Sequence, residues 1–225
     1  MSPAQTRIDA LPEVFPVFPL TGALLLPGGQ LPLNIFEPRY LALTEDALSN
    51  GRMFAMIQPD RAKPALNHGP SLFRVGCLGR LTSFAETDDG RFLITLTGIV
   101  RFDLVEEVEM QRGYRRVHGN FRRFAADLGP HQLDGFDRPG LLDSLRHYFA
   151  HRGFDANWKA IGALDDEALI TNLAMVCPFE PMEKQALLEA PTLADRAQAL
   201  RALLRIDAHD QQNDEDGSTP GRLPS

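Results

Sequence analysis

The chain has 225 residues, 44% of them apolar and 24% charged, which is a globular balance and excludes a disordered or fibrous protein. Its net charge of -7 is uneven: residues 1–125 sum to +1 and residues 126–225 to -8, with five acids in Asp207–Asp216. Bulk charge therefore argues against a strongly basic nucleic-acid binder. Cys77 and Cys177 lie a hundred residues apart and make no CxxC pair or disulfide framework. The N-terminus lacks an apolar signal segment, and no run of about 18 apolar residues marks a membrane span. The expectation is a soluble, cytoplasmic protein with no membrane association.

The first half reads as strands. Val14–Leu20 is an apolar run cut by Pro16 and Pro19, which predicts an edge or irregular strand because proline cannot donate to a ladder. Ala23–Leu26 leads into the turn Pro27-Gly28-Gly29, and Leu31–Phe36 follows, broken by Pro32. Pro38 suits a first helical position, Tyr40, Leu41, Leu43, Ala47 and Leu48 recur at helical spacing, and Asn50-Gly51 supplies the stop. Met53–Gln58 predicts a strand and Pro59–Pro70 a mobile surface loop. Gly76 and Gly79 inside Leu72–Phe84 predict a bulge or tight curvature. Thr87-Asp88-Asp89-Gly90 reads as a hairpin turn, and Arg91–Leu96 and Val100–Val108 as strands flanking Gly98. Many short strands with Gly/Pro turns predict a small curved barrel.

The second half reads as helices. Arg138–Arg152 carries Leu141, Leu142, Leu145, Tyr148 and Phe149 on one face and ends at Gly153. Asp165–Cys177 stops at Pro178, and Pro181–Glu189 stops at Pro191. Leu193–Asp207 opens with Thr192 and Asp195, a variant capping box. Residues 209–225 are polar and acidic and predict a disordered tail. The expected organisation is a β-rich subdomain at 12–124, a helical subdomain at 125–208 and that tail.

No motif for chemistry stands out. There is no GxxxxGK[ST], no GxGxxG after a strand and no GxSxG, and only three lysines, Lys63, Lys159 and Lys184. His147 and His151 share a helical spacing, but Tyr148 stands where HExxH needs glutamate, so a solvated face is the better reading. His68 falls in the loop, and Cys177 reads as a small buried hydrophobe. The segment Gln111–Phe124 interleaves five arginines with Tyr114, Phe121 and Phe124, which offers an RNA-binding alternative. Glu106, Glu107 and Glu109 before it favour a strand with an exposed basic face instead. Leu25, Leu26 and Pro27 beside a turn are the candidate partner-binding anchors if they are exposed.

The stretch Phe18-Pro19-Leu20, Leu25-Leu26-Pro27-Gly28 and Leu33-Asn34-Ile35-Phe36-Glu37-Pro38-Arg39-Tyr40 resembles the opening of the Lon protease N-terminal, substrate-binding domain. Val75–Leu81, Leu96–Phe102, Pro178-Phe179 and Glu183–Glu189 continue the likeness over about residues 12–207, with Asn34 where many members have His. The resemblance implies an α+β fold, a PUA-like pseudo-barrel followed by a helical bundle. It further implies a stand-alone, bacterial-type member without the ATPase and protease domains, related to proteolysis. Phe36, Glu37, Arg39, Tyr40 and Arg101 form its structural signature: Glu37 is expected to pair with Arg39 or Arg101, with Phe36 and Tyr40 packed beneath. The expected function is non-catalytic recognition of unfolded or apolar polypeptide segments or a protein partner, with no catalytic residues, cofactor or metal. A hydrolase with an unrecognised site is the remaining alternative.

Overall fold

The computed structural model describes residues 7–131, 133 and 135–216, the last eleven of these by backbone only. Its six strands are β1 (Val14–Pro19), β2 (Gln30–Ile35), β3 (Met53–Ile57), β4 (Val75–Glu86), β5 (Phe92–Gln111) and β6 (Tyr114–Asn120). Its α-helices are α1 (Pro38–Ser49), α2 (Arg138–Arg152), α3 (Trp158–Ala163), α4 (Asp166–Val176), α5 (Pro181–Glu189) and α6 (Leu193–Asp216). The mixed α+β class expected from the strand-then-helix pattern is what the structure shows.

The strand order is β2-β5-β4-β3-β1-β6, and β5 also pairs with β6. Five strands thereby close into a barrel, and β2 hangs outside it on β5. Closure depends on the length of β5. Phe92–Thr97 pairs with β2 on one side, Phe92–Asp103 pairs with β4, and the last part, from Asp103, pairs with β6. A β-bulge between Leu78 and Gly79 of β4 supplies curvature where the glycine pattern predicts it.

β1 is not the expected edge strand: it lies between β3 and β6. The prolines are tolerated because each falls where only one neighbour is paired. Pro16 lies opposite Arg116 of β6 before the β3 ladder begins, and Pro19 lies opposite Ile57 of β3 after the β6 ladder ends.

The apolar turn before β2 folds onto β5. Gly28 donates to the Gly98 carbonyl at 3.0 Å, and Gly98 donates to the Gly29 carbonyl at 2.9 Å. A Cβ at Gly98 would overlap the Leu26 carbonyl oxygen, so this close approach requires glycine.

Packing separates two compact units, Met1–His131 with Thr171–Glu189, and Gln132–Ile170 with Ala190–Ser225. The chain therefore does not divide once near residue 124, as the sequence pattern suggests. The second half of α4 and all of α5 belong with the strands. Helical periodicity reports that a face is buried, not against what. Here Gln185 of α5 donates to the Val75 carbonyl at 3.1 Å, and Gln58 donates to the Pro181 carbonyl at 2.9 Å.

A buried ion pair fastens α5 in place. Asp127, in the 3₁₀ turn Arg122–Leu128, accepts from the Arg101 backbone N–H at 3.0 Å, from Nε at 2.9 Å and from Nη2 at 2.7 Å. Arg101 Nη1 donates to the Leu188 carbonyl at 3.0 Å, and the guanidinium stacks on Phe124. Arg101 is therefore not a partner of Glu37.

In the second unit, Asp137 caps α2 by accepting from the Gly140 N–H, and Gly153 closes that helix in the left-handed conformation. Phe149, Phe154 and Trp158 form an aromatic cluster beneath it. The short α3 has no sequence periodicity to announce it. The backbone of α6 stays helical to Asp216, past residue 209 where a disordered tail is expected, and residues 217–225 lie outside the described residues.

Three substitutions, followed by chemical denaturation, test these contacts. Asp127→Asn leaves the buried guanidinium short of its carboxylate and is expected to cost about 3–5 kcal/mol. Gly98→Ala is expected to cost about 2–3 kcal/mol through overlap with the turn. Gly22→Ala, at a left-handed residue with open space around it, costs about 1 kcal/mol.

Candidate functional site

Leu25, Leu26 and Pro27 are core residues. Leu25 is 1% exposed and Leu26 0%, and Pro27 is buried. They cannot anchor a partner, because the turn that carries them lies on Gly98 and Leu25 contacts the β4–β5 interior beside Leu96.

The signature splits. Tyr40 is buried as expected and stacks on Phe18 with ring centroids 3.9 Å apart. Phe36 does not pack beneath it: it is 63% exposed, the first residue beyond β2. Glu37 does accept from Arg39, at 3.0 Å from Nε and 2.8 Å from Nη2. Both side chains are open to solvent, so the pair is worth about 0–1 kcal/mol and is no lock.

Three of the five arginines of the basic segment are paired with carboxylates from elsewhere in the chain. Arg112 donates to Glu45 and Asp46, Arg115 makes a buried bidentate pair with Glu107, and Arg123 pairs with Asp103. Tyr114, Phe121 and Phe124 are buried. They present no stacking faces for single-stranded RNA, and the segment serves instead as β6 and its connections. Glu107, one of the acids just before the segment, is among these carboxylate partners; Glu45 and Asp46 of α1, some seventy residues away, are invisible to a local reading.

His147 and His151 are both exposed, and among the described residues no group of three or more His, Cys, Asp or Glu is placed to hold a metal. Cys77 and Cys177 are buried and are not joined in a disulfide. No helix among those residues is long and apolar enough to cross a membrane.

What remains open is one end of the sheet. Pairing between β3 and β4 stops at Arg80, so the outer edge of Thr82–Glu86 is unpaired among the described residues. Together with Phe92–Thr97 of β5 and all of β2 it makes a three-stranded end. β2 occupies the other free edge, with Pro32 in its middle. Residues opposite one another share a face. Phe84, Ile94 and Leu33 lie on one, with Phe84 39% exposed and its ring 5.0 Å from Phe92. Leu93, Ala85 and Asn34 lie on the other, with Leu93 46% exposed. Leu93 and Phe84 were not singled out in the sequence. The available signal was the run Phe92-Leu93-Ile94, since an alternating strand cannot bury three consecutive apolar side chains on one face.

A second concave feature lies at the start of α1. Pro19, Arg39, Tyr40, His68, Tyr114 and Arg115 help line a cavity of about 120 Å³. The loop Pro59–Pro70 forms part of its wall and is tied down by the Arg115 donation to the Pro70 carbonyl at 2.8 Å and by Ser71 donating to the Pro64 carbonyl at 2.6 Å.

Asp46 joins α1 to the β5–β6 turn. It accepts from the Tyr114 hydroxyl at 2.6 Å, from Arg112 at 2.8 Å and from Gln111 at 3.1 Å. Burial pushes its carboxyl up, but the donors outweigh burial and hold it below the usual carboxylate range. The Tyr114 hydroxyl is raised, by burial first and by Asp46 second. A carboxyl held below its unfolded value stabilises above that value, and the contribution is lost as pH falls through the folded one. The protection of the Gln111–Tyr114 amides, as exchange relative to the intrinsic rate at each pH, is therefore expected to fall below about pH 4 compared with pH 6. In Asp46→Asn the hairpin should show low protection at both values, and an unchanged pH response there would reject the assignment.

Comparison with known proteins supplies the frame. Residues 14–205 match the family model described as the ATP-dependent protease La (LON) substrate-binding domain. A Lon protease from Desulfosudis oleivorans is 32% identical over 99 residues, covering 44% of this chain and 12% of that protein. One from Cytophaga hutchinsonii is 23% identical over 212 residues, covering 91% of this chain and 25% of that protein. The chain thus spans a quarter or less of these relatives. Among solved structures, a Lon N-terminal domain protein from Xanthomonas campestris aligns with a TM-score of 0.58 at 23% identity, covering 84% of this chain and 97% of that one. The N-terminal domain of a Mycobacterium avium complex Lon protease aligns at 0.59 and 14% identity, covering 85% and 97%. At these identities the structural likeness speaks to the fold.

Proposed function

The chain belongs to the ATP-dependent protease La (LON) substrate-binding domain family, and from that premise we propose that it binds apolar, extended polypeptide segments at the three-stranded end of its sheet without acting on them chemically. The observation that carries this reading is the coincidence of exposed apolar side chains with an unpaired edge. Phe84 stands within the Thr82–Glu86 edge, Leu93 lies one strand in, and Phe36 follows the end of β2. An extended segment adds to the β4 edge through main-chain hydrogen bonds, which accept any sequence. The aromatic and aliphatic side chains then favour apolar segments by burial, at about 25 cal/mol per Å² of apolar surface removed from water.

The opposite edge is less suited to this. Pro32 has no N–H to offer an incoming strand, so β2 presents an interrupted row of donors. That leaves β4 as the side with a continuous edge.

Fluorescence anisotropy with a labelled, chemically unfolded and alkylated test protein checks the reading. Phe84→Ser/Leu93→Ser is expected to bind at least about tenfold more weakly, while the protein still folds, because Phe84 and Leu93 are already 39% and 46% exposed. The bound polypeptide should be recovered uncut. Equal binding by the variant and the unaltered protein would exclude this surface.

A further inference from the structure

The cavity at the start of α1 has a character of its own. The residues that line it include two arginines and a histidine, and no aspartate or glutamate. Arg39 and Tyr40 belong to the first turn of α1, a twelve-residue helix whose cap, Glu37, makes no side-chain cap hydrogen bond. A helix N-terminus favours negative charge.

Tyr40 is the decisive group. Its side chain is almost fully enclosed, at 6% exposure, with the ring held against Phe18 and beneath the Arg39 guanidinium at 4.6 Å. Among the described residues its hydroxyl has no hydrogen-bond partner. The hydroxyl oxygen is not sealed in the core and opens to the cavity, where a ligand can reach it. Burial raises its pKa above the usual tyrosine value, so the hydroxyl stays protonated and available as a donor. Arg39 uses Nε and Nη2 on Glu37, leaving Nη1 without a partner among the described residues. His68 stands exposed on the loop wall. By contrast, the Arg115 guanidinium is spent on Glu107 and the Pro70 carbonyl and contributes charge only.

We propose that this cavity is a carboxylate-binding subsite, in which the Tyr40 hydroxyl and Arg39 Nη1 donate to the two oxygens of the carboxylate. Its volume of about 120 Å³ has room for a carboxylate with its adjoining methylene groups. That the carboxylate is borne by a polypeptide rests on the function proposed above. It comes either from a chain end or from an acidic side chain.

Amide NMR titrations test the subsite without relying on polypeptide binding. N-acetylglycine stands for a chain end, N-acetylglutamic acid α-amide for an acidic side chain, and N-acetylglycinamide for the uncharged control. At least one carboxylate should shift the amides of Arg39, Tyr40, Gly69 and Gly113 saturably, and the control should not. Which of the two carboxylates binds more tightly identifies the source. Tyr40→Phe removes the donor while keeping the ring and should weaken that binding by about tenfold or more. Should that variant misfold, Arg39→Gln, at an exposed side chain, is expected to weaken binding similarly. Shifts that fail to saturate, equal shifts with the control, or unchanged affinity in a folded Tyr40→Phe or Arg39→Gln protein would overturn the proposal. Carboxylate binding at this cavity with no binding of the unfolded test protein upholds the subsite and removes the sheet-end reading. Polypeptide binding with no response to either carboxylate does the reverse.

Discussion

Burying the Arg101 guanidinium is the commitment on which the first unit is organised. A charge taken out of water costs several kcal/mol unless its partners are complete. Here Asp127 receives three donors from one residue, two from the side chain and one from the backbone, and the Leu188 carbonyl takes a fourth. Those partners come from three places in the chain: the middle of β5, the 3₁₀ turn after β6, and the end of α5. Satisfying one arginine therefore requires the barrel to be closed behind it and α5 to be seated. This explains why Thr171–Glu189 packs with the strands although its sequence reads like the helices around it. The polar contacts among Gln58, Gln185, Pro181 and Val75 reinforce the same seat.

The route of β5 also decides where the molecule is left open. A twenty-residue strand exceeds what a small barrel can close, and only its later part meets β6. The earlier part projects past the end of β3, carrying β2 and the end of β4 with it. An unpaired sheet edge with exposed aromatic side chains invites uncontrolled association, and proteins ordinarily blunt such edges. Pro32 does so on β2, and Glu86 puts a charge at the end of the β4 edge. Phe84 and Leu93 remain uncovered between these devices.

Much of the fold was legible because it rests on local rules. Proline at the first turn of α1, glycine after α2, the Asp89-Gly90 hairpin and the Thr192–Asp195 cap each act within a few residues, and each stands where the sequence places it. What was not legible depends on pairing across the chain. Whether Leu24–Leu26 faces water or the core is decided by Gly98, some seventy residues away. Whether Pro16 and Pro19 force an edge is decided by where two ladders begin and end. Phe36 sits in an apolar run and looks like core, but the run outlasts the strand, and its last member is left in solvent. At the candidate site, the signature marked Tyr40 as buried without revealing that its hydroxyl lacks a partner, since a hydrogen-bond inventory exists only once the cavity has formed.

The contrast between the two arginine–carboxylate pairs shows what the signature residues do. Arg101–Asp127 is buried, and its removal leaves a charge stranded, so it is structural. Glu37–Arg39 is exposed on both sides and screened by water, so it holds nothing together. Its effect is local: Glu37 anchors one edge of the guanidinium and lays it over the Tyr40 ring, leaving the remaining nitrogen unengaged. Tyr40 is fixed by Phe18 below and Arg39 above, which settles the position of its hydroxyl before any ligand arrives. A donor already fixed in place loses little entropy when it binds, which is the physical advantage of a preorganised site. The residues that looked like a lock between helix and barrel are better understood as a mounting for one hydroxyl and one guanidinium nitrogen.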